Sequence, residues 1–152
     1  MLVQFEKYQG AGNDFIMIDN RSGMYNDLGI DQITWLCDRH YGIGSDGLIL
    51  LNESTSADFE MDFYNPDGSK SFCGNGARCV VAFANALGVD SSTRTFQAID
   101  GIHEYIHEDS SIGIHMSDVN HIEFFGEDSA LMNTGSPHYI LLSDDLSTEN
   151  TL

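Results

Sequence analysis

The chain has 152 residues, enough for one domain with a substantial core or two very small ones. An apolar content of 41%, with 9 Phe and 6 Tyr, excludes a disordered chain. A formal net charge of -18, from 24 acidic against 6 basic residues, opposes binding to nucleic acid or to anionic membranes. The three cysteines, Cys37, Cys73 and Cys79, are an odd number, which argues against a disulfide framework. No apolar run approaches the ~20 residues that cross a bilayer, and no leader segment opens the chain. A reducing, cytoplasmic location is expected.

The first residues alternate, with Val3 and Phe5 set against Gln4 and Glu6, and predict a strand. A turn rich in residues that tolerate positive φ follows at 10–14, and then a second strand at 15–18. Asp31 is placed to cap a short helix in which Ile33, Leu36, Cys37 and His40 recur at helical spacing. Residues 48–51 read as a buried strand. Phe59, Met61 and Phe63, alternating with Asp58, Glu60 and Asp62, form the clearest half-buried one.

The segment 77–87 differs. Only Arg78 and Asn85 are strongly polar in it, so it predicts a helix buried on nearly every side, with Gly88 ending it. Short strands follow at 95–99, 102–107, 112–116, 122–125, 131–133 and 138–142. Residues 143–152 are polar and turn-like. The pattern predicts an α+β fold, a strongly curved and mostly antiparallel sheet wrapped around one buried central helix. No repeat or linker is visible, so one domain is expected.

Two motif matches fail on their context. Gly42 to Gly47 satisfies G-x-G-x-x-G, but the dinucleotide fingerprint needs a strand before it and a helix after it. Here the order is reversed, and a tight helix-to-strand turn is the better reading. His103 to His107 satisfies H-E-x-x-H, which holds zinc only on a helix. This stretch alternates as a strand, where the two imidazoles would stand about 13 Å apart. No metal site is expected.

The run Asn65-Pro-Asp-Gly-Ser-Lys-Ser-Phe-Cys-Gly-Asn-Gly-Ala-Arg-Cys79 carries more chemistry. It sets Cys73 at the entry of the buried helix, where the positive end of the backbone dipole favours a thiolate. The free amides that follow, at Gly74 and Asn75, suit a carboxylate. Asn65 and Asn75 offer donors and acceptors to a zwitterion. A base beside an anion cradle suits proton transfer at the α-carbon of an amino acid. The plainer reading is a small apolar residue capping a core helix. Glycines and polar residues crowd the run, which simple packing would not require.

These residues resemble the diaminopimelate epimerase family. The resemblance covers 10–15 (Gly-Ala-Gly-Asn-Asp-Phe), 38–47 (Asp-Arg-His-Tyr-Gly-Ile-Gly-Ser-Asp-Gly), 65–79 and 133–138 (Asn-Thr-Gly-Ser-Pro-His), in the family's order and spacing. It implies cofactor-independent interconversion of LL- and meso-diaminopimelate by two opposed cysteines, with Cys73 as one of them. It further implies that Asn13, Asn65, Gly74 and Asn75 contact the substrate and that His138 supports the site. Where the family often has Asn before Pro-His, this chain has Ser136, so a hydroxyl would replace an amide contact.

Family members have two similar halves, and the second cysteine lies in a later motif absent here. Residues 1–152 are therefore expected to be a single N-terminal lobe without its C-terminal lobe, inactive alone and prone to self-association through the uncovered face. Two other readings stay open. One is an isomerase of the same fold acting on another small acid, such as proline racemase-like or phenazine-biosynthesis-like relatives. The other is a non-catalytic half-domain that binds an amino acid or a partner.

Overall fold

Both faces of the central strands are covered, which explains their unbroken apolar runs. In the computed structural model, which describes residues 2–108 and 111–144, these are β2 (Asn13–Asp19) and β3 (Gly47–Asn52). Phe15, Met17, Ile49 and Leu51 face one core, and Ile16, Ile18, Leu48 and Leu50 face another. The period of two sorts each strand between them. Around them lie β1 (Glu6–Gly10), α1 (Ile30–Cys37), β4 (Phe59–Tyr64) and α2 (Gly74–Ala86). β5 (Thr95–Ala98), β6 (Gly101–Glu108) and β7 (Ser111–Ile114) complete the first of two units, Met1–Met116.

The seven strands pair in chain order. Parallel pairs occur at β2–β3 and β4–β5, where α1 and α2 return the chain to the same end of the sheet. The other four pairings are antiparallel, as the alternation implied. Laid flat, seven strands would span about 29 Å, yet α2, a rod about 10–12 Å across, touches both edge strands, β1 and β7. The sheet must curl around the helix. Ala77, Val80, Val81, Phe83 and Ala84 fill its concave side, each large side chain contributing about 1.5–3 kcal/mol by burial.

The ends of α2 are specified locally. Cys73 is its N-cap, in extended conformation. At the other end Gly88 takes φ 71 and donates to Asn85 O, while Val89 N donates to Ala84 O, each at 3.0 Å. This paired closure needs a residue at ease in the left-handed region.

Three local expectations shift. The N-cap of α1 is Gly29, whose N–H donates to Gln32 Oε1 at 2.9 Å; Asp31 lies within the first turn. His40 lies beyond the helix, because the Asp38 carboxylate accepts from His40 N and Tyr41 N and turns the chain away. β1 starts at Glu6, later than the alternation implied. Gln4 N is drawn to the Tyr25 hydroxyl at 3.2 Å, and the two-residue turn Ala11–Gly12 sets the register from Gly10 opposite Asn13.

Ser117–Leu152 form the second unit. It holds an antiparallel meander of β8 (Ile122–Phe125), β9 (Ser129–Asn133) and β10 (Pro137–Leu141). Of the polar stretch 143–152, residues 145–152 lie outside the described residues.

Two of the interactions that join the β1–β2 hairpin to its surroundings can be tested by substitution. A Cβ at Gly10 would stand 3.0 Å from Asn75 O and 3.2 Å from Cys79 Sγ, so a side chain would crowd the hairpin against the start of α2. Gly10→Ala is expected to cost about 1–3 kcal/mol, read as a lower urea midpoint with unchanged slope; an unchanged midpoint would contradict the close approach. The Asp14 carboxylate accepts from Arg39 and Lys7, and they hold its pKa at about 2, below its ordinary 3.8. A depressed folded-state pKa stabilises the fold above the unfolded value and loses that contribution as pH falls toward 2. Asp14→Asn should flatten the acid limb of a stability–pH curve between about pH 4 and pH 2. Parallel curves for the two proteins would show that these pairs add nothing.

Candidate active site

Cys73 is held from both sides. Its Sγ accepts from Gly76 N at 3.5 Å, and its carbonyl accepts from Ala77 N at 2.8 Å, which locks it to the first turn of α2. On the other side Phe72 is buried and stacks on the His103 ring at 4.3 Å with planes 9° apart. His103 in turn lies 2.9 Å from Asp100 Oδ1 and 3.1 Å from His115 O. The H-E-x-x-H stretch therefore lies on a strand, β6, and its first histidine is a buried anchor behind the cysteine.

The Cys73 thiol is partly exposed, whereas Cys37 and Cys79 are buried. Burial pushes both of those thiols up, Cys79 to about 11. Their packing in the two cores makes them inert. The N–H groups of Gly74 and Asn75 open the helix beside Cys73 and, as first-turn amides, have no partner within it. Helix-opening amides of this kind are available to an anion. Gly74 has room, its missing Cβ lying 3.6 Å from Met116 Sδ. Gly76 serves the packing of α2. It is buried, and a Cβ there would stand 2.9 Å from Ile49 Cδ1, so its smallness serves packing on the sheet.

Asn13 and Asn75 are brought together from 62 residues apart, Asn75 Nδ2 donating to Asn13 Oδ1 at 2.6 Å. The β1–β2 hairpin thus delivers Asn13 to the helix start. Asn65 turns inward on its own loop, where Nδ2 donates to Ser69 O, Ser69 Oγ and Ser71 Oγ at 3.1–3.2 Å. Asp67 tightens that loop by accepting from Ser69 N and Oγ. Ser136 and His138 belong to the second unit. There His138, on the exposed strand β10, has Nδ1 2.8 Å from Ser136 O and 3.1 Å from Thr134 Oγ1 in the preceding turn. Among the described residues, no three His, Cys, Asp or Glu side chains gather as a metal site would need.

Sequence reasoning missed Asp46 and Arg78. Asn13 Nδ2 donates to Asp46 Oδ2 at 3.2 Å, and Arg78 donates to Asn75 Oδ1. Both residues stood inside blocks already singled out, but the Asp46 pattern does not reveal a partner 33 residues away, and Arg78, three residues after Asn75, read as the polar exception in an apolar helix.

Residues 5–122 match the diaminopimelate epimerase family. Diaminopimelate epimerase of Flavobacterium psychrophilum is 48% identical over 147 residues, an alignment covering 95% of this chain and 57% of that protein. Its counterpart from Chlorobaculum tepidum is 40% identical over 151 residues, covering 94% and 58%. The chain therefore spans somewhat more than half the length of these relatives. A crystal structure of a Bacillus anthracis phenazine biosynthesis protein of the PhzF family superposes with a TM-score of 0.61. It covers 91% of this chain and 54% of that one at 14% identity, a likeness of fold. Matched along most of its length in sequence, the chain belongs to the diaminopimelate epimerase family.

Proposed function

We propose that this chain supplies one half of a cofactor-independent epimerase acting on diaminopimelate, with Cys73 as one of two opposed acid–base groups. The observation that carries the reading is a partly exposed thiol capping α2, beside two free amides, in a chain whose other cysteines are buried. The Cys73 thiolate would remove the α-proton, breaking C–H and forming S–H, while the electron pair passes into the α-carboxylate. Gly74 N–H, Asn75 N–H and the helix dipole stabilise that growing charge. A thiol on a second lobe, carried by the part of the relatives beyond this chain's span, returns a proton to the opposite face. The configuration inverts with no net change in protons.

Asn13, Asn65 and Asn75 are assigned to the substrate's ammonium and carboxylate groups, Ser136 to a substrate contact and His138 to support of the reaction. Residues 1–152 act in this reading as a single N-terminal lobe that is inactive alone. The exposed apolar side chains Phe124, Tyr139 and Leu142 in and beside β8–β10 favour self-association when uncovered. Unpaired thiols suit a reducing cytoplasm. Among the described residues no helix is long and apolar enough to cross a membrane. The reaction would serve the making of lysine and cell-wall precursors.

With the second lobe supplied in cis or in trans, incubation with diaminopimelate in deuterium oxide should place deuterium on the α-carbon. Cys73→Ser should slow that exchange by roughly 10²-fold or more. Full exchange by Cys73→Ser, or turnover by the 152-residue chain alone, would overturn the assignment. Iodoacetamide near neutral pH should label Cys73 well before Cys37 or Cys79, which react only on unfolding. Equal labelling of Cys79 in the native protein would contradict a single accessible thiol.

A further inference from the structure

Two charged side chains stand at the ends of a row of side-chain amides that runs through the site. Arg78 Nη2 donates to Asn75 Oδ1, and Asn75 Nδ2 donates to Asn13 Oδ1 at 2.6 Å. Asn13 Nδ2 then donates to Asp46 Oδ2 at 3.2 Å. The Asp46 carboxylate is itself fixed, since it also accepts from Asp14 N at 3.1 Å and from Arg39 Nη2 at 2.8 Å.

A carboxamide has one accepting and one donating end of nearly equal shape. Two amides in a row therefore do not set their own direction: turning both over reverses the row with little change in packing. The ends decide. A guanidinium only donates and a carboxylate only accepts, so Arg78 requires the oxygen of Asn75 and Asp46 requires the nitrogen of Asn13. Both demands agree with the single bond between the amides. We infer that Arg78 and Asp46 are positioning residues that fix which ends of Asn13 and Asn75 meet the substrate.

The charges of the chain sharpen this assignment. Lys7, Arg21, Arg39 and Lys70 all pair with carboxylates. Arg78, in a chain of net charge -18, bonds instead to a neutral amide. Its donor-only character is what that place uses. A zwitterion distinguishes donors from acceptors, so a reversed row would offer the wrong group to each end of the ligand.

This inference rests on the proposal that Asn13 and Asn75 contact the amino acid, and a two-armed experiment separates the two. The first arm uses the ¹⁵N-labelled chain and reads the side-chain amide resonances. Arg78→Met should shift the Asn13 pair, which Arg78 does not touch. Asp46→Asn should likewise shift the Asn75 pair. The remaining backbone spectrum should stay as in the unmodified chain, and Arg78→Lys should restore the Asn13 signals. Shifts confined to the amide directly bonded to the changed residue would overturn the relay.

The second arm supplies the second lobe and measures turnover of diaminopimelate. Arg78→Met and Asp46→Asn should each lower kcat/KM roughly ten- to a hundredfold, with KM raised, and Arg78→Lys should recover most of it. Unchanged kcat/KM in both variants would overturn the inference. If the unmodified protein fails to turn over diaminopimelate, the functional reading falls, and the resonance arm alone decides the row of amides.

Discussion

The meeting of the β1–β2 hairpin with the start of α2 is the constraint on which the rest depends. Gly10 lies close enough to Asn75 O and Cys79 Sγ that a side chain would crowd them. The same approach brings Asn13 within 2.6 Å of Asn75. One contact thus closes the sheet's first edge on the central helix and assembles the polar wall beside Cys73. Tyr8, meeting Phe83 edge-on at 5.7 Å, continues that seam along the helix. Stability and site geometry are not separable here, because the helix that fills the core also presents the thiol.

The cysteine's own position comes from a second layer. Phe72 precedes it in the chain and is clamped on His103, which also stacks near Phe96 at 5.4 Å. The residue before the N-cap is thereby anchored in apolar packing while the N-cap itself reaches the surface. A buried side chain followed directly by a partly exposed one marks the point where the core meets the site. Rigid support of this kind fixes where the thiol stands. The ion pairs of Asp14 and Asp46 with Arg39 brace the hairpin in the same way.

Much of the fold was legible because its signals are local. The alternation of Phe59, Met61 and Phe63, the apolar stretch through Val80 and Val81, and the glycine at 88 each report on neighbours in sequence. The strand reading of His103 to His107 rested on the same alternation, and β6 is that strand. Local signals failed where a distant group competed. Gln4 leaves the first strand for the Tyr25 hydroxyl, and Gly29 caps α1 through Gln32 where an acidic residue stood ready nearby. The parallel pairs were invisible for a related reason: strand direction depends on what the intervening helix packs against, which no single segment states.

By itself the sequence determined most of the elements and the family, because periodicity, caps and dense motif runs are written in neighbouring positions. Tertiary structure alone decided which of the three thiols is accessible, since only packing buries Cys37 and Cys79 in two different cores. It also decided that Asn13, Asp46, Asn75 and Arg78 form one row. Hydrogen-bond direction depends on donors and acceptors meeting in space, and these four come from three separate segments of the chain.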